Sequence, residues 1–334
     1  MRKWSRIAAA VVLGATLAVP AFPGSAAAGV SDADLALRWA PIHYQDVDVT
    51  GGHAMAGRAD YITRIDFDGN WVGRDNWDHA PSYPLAATVY YSVVTTSTHW
   101  YLTYLFYHPR DWADHPFFET EHENDGEGVL FTIERDGSQY GILRAAVTVA
   151  HSDFYSYTPA GSSWTNGGET VDGTLQFQSS PHDGFQHPVT AQETHGHGLK
   201  AYPQYSINGD GIVYYPSATV SELPANGDDR DVRYKLVSIF AAGGLWSQRN
   251  NTALFASWGT FAGDDAGSGS DACGVGTWDC TTDSANAPWG WDDGDDVPGR
   301  GELATDPARV AAAYFTVPGA FSRTYDVNLY TNPA

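Results

Sequence analysis

Val, Tyr, Phe, Trp and Thr crowd into short runs along this chain, and Gly, Pro, Asp, Asn and Ser fill the gaps between them. Runs of that composition and length predict strands over 86–94, 99–107, 128–134, 141–150, 211–215, 232–240, 254–258 and 325–330. A helical pattern is confined to 32–39, with Ser31 as its cap, and to 306–314, where Pro307 suits the first turn. No repeat of fixed period runs through the chain. The pattern predicts an all-β fold, an antiparallel β-sandwich of jelly-roll type with long loops and one or two short helices. Residues 263–301 have little strand signal and much Asp and Gly. They also carry Trp278, Trp289 and Trp291, so they read as an ordered loop subdomain of one domain spanning 29–334.

The densest chemistry stands just before one strand run, in Glu121-His122-Glu123-Asn124-Asp125-Gly126-Glu127. In an extended segment Asp125 and Glu127 point to one face, because side chains alternate with period two. Like charges on one face repel, and a divalent cation is the simplest group to compensate them. Arg135-Asp136-Gly137-Ser138 predicts a tight hairpin turn, since Asp-Gly supplies positive φ angles. His122 then faces His151, and Asp125 faces Thr148. The preceding strand ends at the same rim, and the long connection that follows it brings Asp111 and Asp114. Thr194-His195-Gly196-His197-Gly198 offers two further imidazoles spaced for a metal pair or an acid–base couple, with glycines that permit close approach.

Other features bound the class of protein. Arg2, Lys3 and Arg6 precede an apolar stretch and then small residues up to Ala28, the pattern of a secretory signal peptide over 1–28. No later segment has the roughly 20 apolar residues of a membrane span. The formal charge of −22 becomes −25 without those first residues, which argues against non-specific nucleic-acid binding. Apolar residues at 43% and aromatics at 13% argue against disorder. The two cysteines, Cys273 and Cys280, read as a local disulfide in an exported protein. The Trp289–Trp291 segment with its run of aspartates reads as structural, and Asp66 to Asn70 reads as a turn. A serine-hydrolase elbow and a phosphate-binding loop are both missing from the sequence.

The aromatic run Tyr104-Leu105-Phe106-Tyr107, the following His108-Pro109-Arg110-Asp111 and the heptapeptide 121–127 together resemble the Nep-like, necrosis-inducing secreted proteins and related vacuolar-sorting-associated β-proteins. The resemblance covers about 86–200. It implies a β-sandwich that holds one divalent cation through Asp111 or Asp114, His122, Asp125 and Glu127, and that engages a glycan or sphingolipid head group. Asn124 stands where that family has a second His, and Gly126 where it has Trp. Oxygen-rich ligation points to Mg²⁺, Ca²⁺ or Mn²⁺, and a second histidine would tilt the choice toward Mn²⁺ or Zn²⁺. The alternative is a metal-dependent extracellular hydrolase acting on a small phosphoester, with His151, His195 or His197 as acid or base.

Overall fold

The computed structural model describes residues 29–113, 121–263, 285–294 and 297–331. The signal-peptide reading of 1–28, Asp114, Trp278 and the Cys273–Cys280 pair lie outside the described residues.

Helix α1, Asp32–Trp39, starts where Ser31 accepts a hydrogen bond from the Asp34 amide at 3.1 Å. Asp32 and Asp34 in its first turn and Arg38 in its last complement the helix dipole. Its buried face carries Leu35, Ala36 and Trp39, and the Tyr104 hydroxyl donates to the Ala36 carbonyl at 2.7 Å. Strand β1, Ile42–Asp46, follows. A short helix α2, Asn76–His79, precedes a run of long strands: β2, Thr88–Thr96; β3, His99–Asp111; β4, His122–Glu134; β5, Ile142–Ala150; and β6, Asp153–Pro159.

These strands belong to one large sheet that nearly closes into a barrel. Its order runs Leu199–Ala201, Gln186–Gln192, β1, Gly211–Ser217, Val232–Ser238, β2, β3, β4, β5, β6 and Gly173–Leu175. The centre is an antiparallel meander, as expected. Elsewhere the sheet departs from the purely antiparallel prediction. Four neighbouring pairs are parallel: β1 with Gln186–Gln192, Gly211–Ser217 with Val232–Ser238, Val232–Ser238 with β2, and β6 with Gly173–Leu175. A tight hairpin enforces antiparallel pairing, whereas each of these pairs is joined through longer connections that free its direction.

Both faces of β3 and β4 are covered, which is why they read as near-continuous apolar runs. Leu102, Tyr104 and Phe106 pack into one core with Val129, Phe131 and Ile133. Tyr101, Leu105 and Tyr107 enter the other, closed by Trp246, Phe261, Trp289, Trp291 and helix Pro307–Tyr314. Trp289 and Trp291 are therefore structural, as the sequence predicts. Among the described residues no helix is long and apolar enough to cross a membrane.

The β4–β5 register differs from the tight-turn expectation. Thr148 sits opposite Val129 rather than Asp125, a slip of four residues. Asp136 caps its own turn instead of pairing across it: its Oδ1 accepts from the Ser138 amide at 2.9 Å and the Ser138 hydroxyl at 2.6 Å. The loop thus extends to Gly141, and a bulge at Thr132–Ile133 absorbs the remainder. His151 moves along the sheet as a result, away from His122 and toward Glu127.

Candidate functional site

The β3–β4 ladder continues past the core to a polar rim, where Phe106 pairs with Glu127, His108 with Asp125, and Asp111 with His122. Asp125 and Glu127 share a face, as period two requires. Here the rim borders a cleft of about 610 Å³. Its walls include Asp111, His122, Asp125, Glu127, His151 and Glu193.

His122 is fixed by its own strand. Nδ1 donates to the Asn124 carbonyl at 2.9 Å, and Nε2 faces Asp111 Oδ2 at 3.4 Å. Glu127 is buried. Its Oε1 accepts from the His151 amide at 2.9 Å, while its Oε2 has no hydrogen-bond partner among the described residues. Burial, with Asp125 adding repulsion, pushes the Glu127 carboxyl well above its ordinary range. Burial also pushes Asp111 up, to about 6, against the pull of His122. These groups want compensation that the surrounding side chains do not supply.

The departures from the family heptapeptide have structural causes. Asn124 has φ 61°, a left-handed conformation that Asn tolerates well. Its side chain accepts from the Tyr107 hydroxyl and from Asn76 Nδ2, both at 2.7 Å, and donates to the Gly73 and Ala262 carbonyls at 3.0 and 3.1 Å. Gly126 has no room for a side chain, since a Cβ there would lie 2.9 Å from the Asn286 carbonyl oxygen. Trp291 covers it instead and donates to the Gly126 carbonyl at 2.6 Å. Glu121 and Glu123 are buried away from the cleft. Glu121 binds His53 and the Ala113 amide, and Glu123 accepts from the Trp77 amide at 3.3 Å.

The three histidines singled out by sequence part company. His151, at φ 59°, lines the cleft and pairs with Glu193 Oε1 at 2.9 Å. That hydrogen bond, outweighing partial burial, raises its pKa. His195 also lines the cleft, edge-on to Trp112, with Nε2 3.2 Å from Asp48. His197 is fully buried. It bridges Asp125 Oδ2 at 2.8 Å and Asp60 Oδ1 at 3.1 Å. Burial opposes its charge, yet these two carboxylates push its pKa up to about 10. The glycines on either side make this geometry possible: a Cβ on Gly196 would meet His151 at 2.7 Å, and one on Gly198 would meet Glu193 at 2.8 Å.

Sequence reasoning missed Asp60, Glu193 and a second cluster. Asp68, Asp75 and His79 bring three ligand atoms within 4.8 Å of one another, a carboxylate–imidazole triad with a convergence that the rim residues do not reach. In it His79 Nδ1 lies 2.6 Å from Asp68 Oδ2, and that hydrogen bond raises the His79 pKa, so a proton already joins the pair. This triad spans the Asp68 turn and α2 rather than the rim.

No family model matches the chain, and no curated protein does. Among solved structures it is similar to one described as "Toxin fold for microbial attack and plant defense", at 20% identity over 68% of this chain and 82% of that one, with a TM-score of 0.33. It is likewise similar to "NLPPya in complex with glucosamine", at 19% identity over 68% and 81%, with a TM-score of 0.32. A third is "Necrosis and Ethylene inducing Protein 2 from the causal agent of cocoa's Witches Broom disease", at 17% identity over 64% and 77%, with a TM-score of 0.28. These likenesses fall in the necrosis-inducing family that the sequence resembles. At such identities and TM-scores they assign neither ligand nor activity to this chain.

Proposed function

We propose that this is an exported glycan-binding protein of the Nep-like kind, in which Asp111, His122, Asp125 and Glu127 hold one divalent cation at the cleft. The observation that carries the reading is Glu127 Oε2, buried and without a donor among the described residues, on the same rim as His122 Nε2, which faces Asp111 at 3.4 Å. A buried carboxylate oxygen without a partner is costly, and a cation would satisfy it. Three carboxylates and one neutral imidazole suit a hard ion such as Mg²⁺, Ca²⁺ or Mn²⁺. When bound, the ion supplies positive charge that can hold sugar hydroxyls.

The cleft favours a neutral or cationic ligand over an anionic one. Asp111, Asp125, Glu127, Glu193 and Asp292 line it, and its described lining holds neither Lys nor Arg. Ser152, His195 and Asn286 add hydrogen-bonding groups suited to hydroxyls. Structures described in complex with glucosamine and mannosamine make amino sugars the first ligands to try.

A second reading, hydrolysis of a small phosphoester, draws on the His151–Glu193 pair, in which a charged imidazole could donate a proton. Calorimetric titration of the purified protein with Mg²⁺, Ca²⁺ and Mn²⁺, then with amino sugars and neutral sugars, tests the first reading. Cation-dependent sugar binding supports it, and sugar binding unaffected by EDTA removes the cation from the account. Turnover of a phosphodiester panel, abolished by His151→Ala, would favour the second.

A further inference from the structure

We propose that Asp60 is a positioning residue for the rim, a carboxylate outside the cleft that sets Asp125 through His197. This inference rests on the cation-binding reading above. Asp60 is fully buried, and burying a carboxylate costs several kcal/mol unless its lone pairs are met. Five donors meet them. Oδ1 accepts from Trp112 Nε1 at 2.8 Å, the His195 amide at 3.1 Å and His197 Nε2 at 3.1 Å. Oδ2 accepts from the Asp48 amide at 2.9 Å and the Thr194 hydroxyl at 3.0 Å.

Those donors are not scattered. Trp112, Thr194 and His195 are themselves walls of the cleft, and His197 touches the rim carboxylate. One buried anion therefore ties together the end of the β3 rim and the 194–197 segment. His197 passes the constraint on. With a carboxylate at each ring nitrogen, both nitrogens act as donors. Its ring lies flat on His108, 3.7 Å away and 2° from parallel, and its carbonyl accepts from Gln192 Nε2 at 2.7 Å. The imidazole cannot swing. Asp125 is consequently held from two sides, with Oδ1 accepting from the Gly126 amide at 2.7 Å and Oδ2 from His197. Each oxygen keeps a lone pair for a cation, in an orientation already set. Carboxylate–histidine partners behind a ligand typically govern affinity 10- to 100-fold when removed.

The test uses Mn²⁺ as the probe, read by calorimetry and by the electron paramagnetic resonance line shape of the bound ion. Asp60→Asn keeps the shape of the side chain but replaces one acceptor with a donor. We expect it to weaken Mn²⁺ binding about 10- to 100-fold and to broaden the spectrum, with near-ultraviolet circular dichroism unchanged. His197 has φ 52°, in the left-handed region that glycine accepts, and His197→Gly opens a ring-sized space there. It should bind Mn²⁺ weakly, and added imidazole should restore affinity while leaving the wild type unchanged. Wild-type affinity in both folded variants overturns the proposal. If Asp60→Asn does not fold, the imidazole response decides, and a weakened His197→Gly that imidazole leaves unimproved overturns it equally. A wild type that binds no Mn²⁺ would instead remove the cation reading itself, and this proposal with it.

Discussion

Asp111 Oδ2 and His122 Nε2 face each other at 3.4 Å across the outermost pair of the β3–β4 ladder. Burial, which outweighs the pull of His122, raises the Asp111 carboxyl from 3.8 to about 6. The folded carboxyl then binds its proton more tightly than the unfolded one. Its contribution is complete at low pH and declines as pH rises from about 4 to about 6, by about 3 kcal/mol at most. In EDTA, Asp111→Asn should therefore gain on the wild type in melting temperature across that interval. In saturating Mg²⁺ or Mn²⁺ the order should reverse, because only the wild type is stabilised by the ion. A constant difference between the two proteins from pH 4 to 7 in EDTA would show that Asp111 carries no such strain.

The acidic run divides into two populations that sequence alone does not distinguish. Asp125 and Glu127 look into the cleft, whereas Glu121 and Glu123 are buried against His53, the Ala113 amide and the Trp77 amide. Asp125→Asn and Glu127→Gln should abolish high-affinity cation binding with the fold intact, and Glu127→Gln should raise stability in EDTA by relieving the repulsion from Asp125. Glu123→Gln should do the opposite, keeping the cation and losing about 1–3 kcal/mol of stability. Calorimetry and urea titration on the same three variants separate the two classes. Equal loss of cation across all three would reduce the rim to a diffuse acidic patch.

Asn124 makes a further prediction because its role is structural although Asp125 beside it faces the cleft. Its amide closes four hydrogen bonds that tie β4 to Tyr107, Asn76, Gly73 and Ala262. Asn124→Ala leaves two donors and two carbonyls unmet, a loss of about 2–5 kcal/mol. Asn124→His tolerates the positive φ but cannot supply an acceptor and two donors in that geometry. It should also melt earlier than the wild type, without any gain in cation affinity. Denaturant midpoints for the two variants check the first claim and Mn²⁺ titration the second.

What was legible in the sequence was local. Helix α1 is announced by Ser31 and its acidic first turn, and β2 to β5 by runs that the two cores demand. The shared face of Asp125 and Glu127 follows from strand geometry, and His122 and His151 do meet at one cleft. The register slip was not legible, because Asp136 prefers to cap its own loop over pairing across a tight hairpin. Strand β1 was hidden by its polar residues. His43 is buried against Thr190 and Gln192, and the Gln45 amide nitrogen donates to the Glu193 carbonyl, partners that lie far along the chain. Asp60 carries no motif at all. Its meaning lies in donors from residues 48, 112 and 194–197, which only the folded sheet brings together.

The far wall of the cleft rests on a single missing side chain. A Cβ on Gly128 would lie 2.2 Å from the Tyr104 carbonyl oxygen and 2.3 Å from Trp291 Cη2. Trp291 is buried there and is anchored by its hydrogen bond to the Gly126 carbonyl, while Asn286 and Asp292 beside it line the cleft. Gly128→Ala should therefore destabilise by about 3 kcal/mol or more, and should push the 285–294 segment off the rim. Trp291→Phe loses the N–H and part of the buried indole, so it should itself cost about 2 kcal/mol or more. The double variant discriminates between the two clashes. A smaller ring relieves the contact at position 291 but leaves the Tyr104 backbone in the way, so Gly128→Ala/Trp291→Phe should recover only part of the loss. Urea midpoints for the four proteins measure the coupling directly. Full recovery in the double variant would place the whole constraint on Trp291, and no recovery would place it on the β3–β4 backbone.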